Sequence, residues 1–583
     1  MKKHAAGFLL SCLVMVSMLA QACAPQANPS VPATANIPAT GPSANAPQTP
    51  IPTLGPRTPS GQPTPAPAPS LSGPTATPAA GKVAPKRGGV LLIAAHGEPP
   101  TYDVQQETGL PVIFPLRNVY EGLVKYHYLQ HSEIVPELAD KWDVSADGTV
   151  YTFHLRADVK WHDGRPFTAD DAAFSLMRMA HPENYNSVSP RGSALLTALD
   201  KVDVVNPSTI QVKLKYPSAS FLPSIATDWI PVMPKHTIQA SGDMKRVVNG
   251  TGPFLWTKHD RGVSMQLTKN NAYYDKSLPY LDGITFFVIL DGNTRLAAFR
   301  TGRVRMTSMG GTAMTPSQAA VIKREMADKA TMKEHAAFSR YVLFMNTSRE
   351  PWKDVRVRQA VQMALDRQNL IKVNDNLGAI GAAMPPLGQW GLSEAELRNF
   401  PGYRQPKDSD IASAKRLLSE AGYGNGYKTG MLTLAGLDQL APVIQQQLAA
   451  VGILTEPIEP LALPVLYERL EAARFSLVFT SFGEALDDPD TFFAYYVTGS
   501  PRNYGAFSDK EIDNLFEQEK KTLDVAQRKA LTVKAQQRIL ELAIHPVAFW
   551  FVFQRAWWNE VKDYDPAPGS FVNLKMDRVW LDR

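Results

Sequence analysis

Between residues 137 and 179 the spacing of hydrophobic positions changes from two to three and four, and the change predicts a hairpin followed by a helix. Trp142 and Val144 lead into Asp147-Gly148, and Tyr151, Phe153 and Leu155 follow on one face, the period-2 pattern of a half-buried β-hairpin. A second turn at Asp163-Gly164 leads to Thr168-Ala169-Asp170-Asp171, a capping box that satisfies the first free amides of a helix over about residues 169–179. Ala172, Ala173, Leu176 and Met179 then recur three or four apart, so the helix has an apolar stripe to close over the hairpin. Trp161 is expected to be buried under that unit.

The same reading extends along the chain. Val90-Leu91-Leu92-Ile93 is an unbroken apolar run of the buried-strand type, and residues 118–124 read as a helical start leading into a strand. Residues 201–205 and 210–214 flank the turn Asn206-Pro207-Ser208. Gly250-Thr251-Gly252-Pro253 punctuates between strands; it lacks the Gly-Lys-Ser/Thr ending of a phosphate loop. A short helix is predicted at residues 295–299, stopped by Gly302. From Asp354, Val357, Ala360, Val361, Ala364 and Leu365 form a core stripe, and Ile411, Ala414, Leu417, Leu418 and Ala421 form another, closed by Gly422. Ser508 and Glu511 read as a second capping box, opening a helix to about Lys520. Alternating strands and helices in this last region predict an α/β sheet domain.

A chain of 583 residues is too long for one core and predicts three or four structural units. Net charge is only +5, with no run of basic residues, which argues against nucleic acid as a partner. Lys2 and Lys3 precede a short apolar run that ends in Ala20-Gln21-Ala22-Cys23, the form of a secretory signal over residues 1–22. Cys12 falls inside that leader, so Cys23 is the one thiol of the mature chain and no internal disulfide is expected. Ala22-Cys23 resembles the lipobox of bacterial lipoproteins, which makes Cys23 the expected lipid anchor. The region that follows is Pro, Ala, Thr, Ser, Gly and Gln with almost no charge, too poor in apolar residues to offset ordering, so residues 23–86 are expected to be an anchor and extended spacer.

Five segments carry a family resemblance in order: WDVSADGTVYTFHLRADVKWHDGRPFTADDAAFSL from Trp142, NGTGPFLWTKHDRGVSMQLTKNNAYYDKSLPYLDGITF from Asn249, FMNTSREPWKDVRVRQAVQMALDR from Phe344, AKRLLSEAGY from Ala414 and DDPDTFF from Asp487. They resemble the family-5 extracellular solute-binding proteins, the oligopeptide, dipeptide and nickel receptors of ABC importers. The resemblance implies an α/β fold of the type II (class C) periplasmic-binding-protein kind, two lobes with an additional small domain and a ligand cleft between the lobes. Lobe I is expected from residues 87–125, 245–340 and 546–583, the small domain from 126–244 and lobe II from 341–545. It further implies a monomeric, extracytoplasmic, membrane-anchored lipoprotein, in the periplasm or at the outer face of the cell membrane, that hands a small organic solute or peptide to permease and ATPase subunits without a cofactor.

No Gly-x-Ser-x-Gly or His-Glu-x-x-His motif is present, so no catalytic residue and no metal site is assigned. His127 and His131 are four apart but lie outside a predicted helix. In peptide-binding relatives the passage around residue 482 carries a Trp and, three residues on, an Asp that pairs with the peptide ammonium. Here Phe482 and Ala485 occupy those positions. An ammonium buried without its partner costs on the order of 3–5 kcal/mol, which favours a solute other than an ordinary free-amino-terminus peptide. Glu484, one residue away, points to the opposite face of a strand; an oligopeptide receptor with Glu484 in the Asp role is the alternative, and a secreted hydrolase on the same fold is the alternative of another class. Expected ligand contacts are Tyr120, Trp390, Phe482, Glu484, Asp487, Arg502, Asn503 and Tyr504.

Overall fold

The computed structural model describes residues 84–107, 109–307, 314–484, 486–567 and 572–583, leaving out the side chains of Ser193 and Ala336. The expectations for the leader, Cys23, most of the spacer and Ala485 lie outside the described residues.

The period-2 stretch forms the predicted hairpin: Ala139–Val144 pairs antiparallel with Val150–Leu155, placing Trp142 opposite Phe153 and Val144 opposite Tyr151. Thr209–Leu214 and Leu199–Asn206 extend it to four antiparallel strands. Helix Ala169–Ala180 closes the inner face, where Phe153, Ala172, Leu176, Ile210 and Val212 share one core. The Thr168 N–H donates to Asp171 Oδ2 at 3.1 Å. The same oxygen accepts from Trp161 Nε1 at 3.2 Å, so the capping carboxylate also fixes the buried indole.

Lobe I is a sheet in which Val90–Ala95 runs parallel to Gly283–Val288, followed by antiparallel Ser264–Lys269 and Phe254–Asp260. Residues 118–123 are not helical: a helix precedes them at Leu110–Leu116 and a strand begins at Val124. The segment between passes under the Gly250-Thr251-Gly252 turn so closely that a Cβ on Gly250 would meet the Val119 carbonyl oxygen at 2.0 Å. Backbone approach, which the apolar spacing does not encode, sets its path.

Lobe II is a five-stranded mixed sheet in the order Ile453–Leu461, Tyr427–Leu434, Leu477–Gly483, Ala330–Met345, Val547–Trp558. Strand alternation divides its side chains between two cores: Tyr341, Leu343, Met345, Leu477 and Phe479 pack on one face, and Val342, Phe344, Val478 and Phe482 on the other. Helices Val355–Ala364 and Asp408–Glu420 cover the first face with the predicted apolar stripes. The later capping site differs from expectation. Asp509, not Ser508, caps helix Lys510–Glu519 by accepting from the Glu511 and Ile512 amides, both at 3.0 Å. A carboxylate at a helix N-terminus also gains from the helix dipole, and Ser508 instead accepts from the Thr498 hydroxyl.

Two strands tie the lobes together. Val547, Phe549 and Trp550 pack in the lobe II cores, while Ala556 and Trp557 of the same strand pack with lobe I residues such as Ala94 and Met306. Its partner Ala330–Met345 pairs in register from Ala330 opposite Trp558 to Ala336 opposite Val552, and resumes at Arg340 opposite Trp550. The first strand therefore carries extra residues at the crossing, a bulge that bends a sheet locally, and Phe338 sits within it.

Candidate functional site

A cavity of about 530 Å³ lies between the small domain and lobe II. Tyr126, Tyr151 and Leu222 come from the small domain, Leu387, Trp390, Leu486 and Asp487 from lobe II, and Phe338 from the crossing-strand bulge. Tyr151 sits on the hairpin, and Phe338 faces the cavity where the register slips. The chain after the bulge is held close, since the Glu484 amide donates to the Phe338 carbonyl at 2.7 Å.

The polar groups of this wall are few and fixed. Trp390 Nε1 donates to the Asp487 carbonyl at 2.8 Å, and the Gln389 amide donates to Asp487 Oδ2 at 3.0 Å. Asp487 Oδ1 is enclosed and, among the described residues, accepts no hydrogen bond. Burial pushes the Asp487 carboxyl up to about 7; the Asp488 charge adds to the rise, and the Gln389 amide opposes it. Asp488 itself is neutralised by Arg528 through two 2.8 Å hydrogen bonds, and the Arg528 guanidinium lies 5.0 Å from the Trp390 ring centre.

A second cavity of about 210 Å³ adjoins the first and shares Leu486 as a wall. Arg191, Tyr216 and Ser220 line it from the small domain, and Glu484, Asp490, Arg502 and Lys520 from lobe II. Direct contacts bridge the two sides here. The Ser220 hydroxyl donates to Asp490 Oδ2, the Ala219 amide donates to the Lys520 carbonyl at 2.9 Å, and Lys520 Nζ lies 5.2 Å from the Tyr216 ring centre.

The expected contact residues therefore separate into groups. Trp390 and Asp487 line the larger cavity, and Glu484 and Arg502 the smaller. Phe482 and Tyr504 belong to an aromatic cluster behind the wall, each within 6 Å of the Phe344 ring centre. Asn503 staples its own loop, donating to the Val497 and Phe507 carbonyls at 3.0 and 2.7 Å. Tyr120 is enclosed in the lobe I core, away from both cavities, because the segment carrying it is tucked under the Gly250 turn. Arg191, Tyr126, Phe338 and Arg528 were not legible in the sequence. Each sits in a stretch with no motif of its own and is brought to the cavity by packing.

Two lobes joined by crossing strands, with a solute-sized cavity lined by the small domain, lobe II and the crossing strand, define a binding protein of the cleft type. The model of bacterial extracellular solute-binding proteins, family 5, matches residues 133–504, and the chain belongs to that family, the receptors of ABC importers. It is 28% identical over 480 residues to Di/tripeptide-binding protein 2 of Pseudomonas aeruginosa (strain UCBPP-PA14), covering 76% of this chain and 87% of the relative. The solved structure of DppA from Helicobacter pylori in complex with peptide STSA is 25% identical, with a TM-score of 0.65 over 85% of this chain and 99% of that one. The PBP AgaA in complex with agropinic acid, from A. tumefacien R10, is also 25% identical, with a TM-score of 0.67 over 85% and 99%.

Proposed function

We propose that this receptor captures a small organic solute other than an ordinary free-amino-terminus peptide, without turning it over, and presents the closed form to an ABC permease and its ATPase. The observation that carries the reading is the 530 Å³ cavity lined from the small domain, lobe II and the crossing strand together. A solute there touches both sides at once, and a ligand drives closure only by binding the closed state better. Outside the described residues, Cys23 is proposed to carry the lipid that holds the receptor at the extracytoplasmic face of the membrane.

Glu484 is poorly placed to replace the missing ammonium partner. Its carboxylate already accepts from Arg502 Nη1 at 2.7 and 2.8 Å and from the Tyr495 hydroxyl at 2.7 Å, and a peptide would have to displace a guanidinium from it. One observation favours a second reading: Asp487 lines the larger cavity with an oxygen that accepts no hydrogen bond among the described residues, so the ammonium of a short peptide set against it would meet a carboxyl without another cationic partner and hold it ionised.

Mass spectrometry of small molecules retained through gentle purification tests both readings. The expected result is a single non-peptide solute at about one per chain, reduced about tenfold or more by Leu387→Trp, which fills the cavity from its half-exposed wall. A retained di- or tripeptide lost in Asp487→Asn establishes the second reading. A solute retained equally by Leu387→Trp contradicts both.

A further inference from the structure

Arg191 faces the smaller cavity from the small domain with no ion-pair partner among the described residues. Its guanidinium stacks on the Trp229 ring at 4.2 Å. Among the described residues its buried Nε makes no hydrogen bond and no carboxylate lies within ion-pair distance of it. Across the same cavity stands Arg502, whose single carboxylate partner, Glu484, is shared with the Tyr495 hydroxyl. Arg191, Arg502 and Lys520 thus face Glu484 and Asp490; Lys520 is paired outside the lining with Glu517 and Arg502 with Glu484, which leaves Arg191 as the cation of this wall without an ion-pair partner among the described residues. Asp490 is pushed up by burial and by the Asp488 charge, which weakens the negative charge set against Arg191.

We infer that the 210 Å³ cavity is an oxyanion subsite, in which Arg191 of the small domain and Arg502 of lobe II together hold a carboxylate or phosphate group of the solute seated in the larger cavity. The inference deepens the proposed receptor function and rests on it. Guanidinium groups present paired N–H donors that match oxyanions. Stacking on Trp229 holds the Arg191 plane in place, so little side-chain freedom is lost on binding. Burial depresses the Arg191 guanidinium below its usual range; Glu484 opposes that and the Arg502 charge adds to it, and an anion between the two arginines would relieve the repulsion. The two arginines come from opposite sides of the cleft, so an anion bridging them favours the closed state. The solute is then acidic at neutral pH, and its acidic end lies beyond Leu486 from its body.

The test uses acetate and inorganic phosphate as probes on the full chain, by thermal unfolding at constant ionic strength with chloride as reference. A ligand that binds only the folded state raises the midpoint as its concentration passes Kd. The wild type should be stabilised by millimolar oxyanion above chloride, and Arg191→Gln should lose that shift while Arg191→Lys keeps part of it. Glu484→Gln frees Arg502 of its competitor and should strengthen the shift, a direction that a purely structural role for these residues does not produce. A larger shift with phosphate identifies a phosphoryl-bearing solute, and one at least as large with acetate identifies a carboxylate. Equal shifts in wild type and Arg191→Gln, or no shift beyond chloride in the wild type, overturn the subsite. Retention of a neutral solute by a wild type that shows no oxyanion shift would overturn the subsite while the receptor reading stood.

Discussion

Trp161 is 2% exposed, meets Phe167 edge-on at 6.2 Å and donates to Asp171. Trp161→Ala should destabilise by about 3–5 kcal/mol, measured by denaturant unfolding; an unchanged midpoint would contradict its structural role. Its burial was legible because the period-2 and capping patterns on either side fix which way the unit faces. Asp487 was legible as a candidate, but its environment was not, since Gly388, Gln389 and Trp390 reach it from nearly a hundred residues away. With its folded pKa near 7 against an ordinary 3.8, the native chain holds a proton there that the unfolded chain releases. The contribution is complete below pH 3.8, declines as pH rises toward 7, and is flat above. Relative to wild type, Asp487→Asn should therefore gain roughly 1–3 kcal/mol between pH 4 and pH 7.5. Paired unfolding curves at those two pH values check it, and a constant difference would show that the carboxyl is not raised. Arg191 had no such local signal: a lone arginine in a polar loop is indistinguishable from a solvated one until Trp229 and the facing lobe are placed around it.

Elements were legible where periodicity and capping chemistry agree. The helix opened by Thr168 and Asp171, the helix after Asp354 and the one closed by Gly422 all have an apolar stripe and a terminal residue that satisfies backbone groups. Where two residues compete for one cap, spacing alone does not choose, as at Ser508 and Asp509. Asp509→Ala should cost about 1–2 kcal/mol, because two amides lose their acceptor and Arg538 loses a 3.0 Å partner, whereas Ser508→Ala should cost only a few tenths. Chemical denaturation of the two variants decides it, and equal losses would return the cap to Ser508. Residues 118–123 failed as a helix for another reason. Their path is set by contact with the Gly250 turn, more than a hundred residues later, which no local pattern carries.

At the scale of the whole molecule the alternation of strands and helices predicted an α/β sheet domain, but the crossing of Ala330–Met345 and Val547–Trp558 between lobes was not legible in the spacing of either strand. Two strands separated by two hundred residues leave no mark on each other's spacing. The cavity inherits that limit, since its walls come from the small domain, lobe II and the bulge at Phe338. For the anchoring proposed at Cys23, Cys23→Ser should move the protein from the membrane to the soluble fraction on cell fractionation; a wild type already soluble would contradict lipidation. The claim on which the rest depends is that solute binds between the small domain and lobe II and draws them together. Small-angle X-ray scattering of the chain stripped of its solute, and again after the retained solute is returned, tests it most directly. The radius of gyration should fall on adding the solute to wild type and stay unchanged for Leu387→Trp. A solute that binds with no change in the wild-type radius, or that compacts Leu387→Trp equally, would contradict capture in the cavity between the small domain and lobe II.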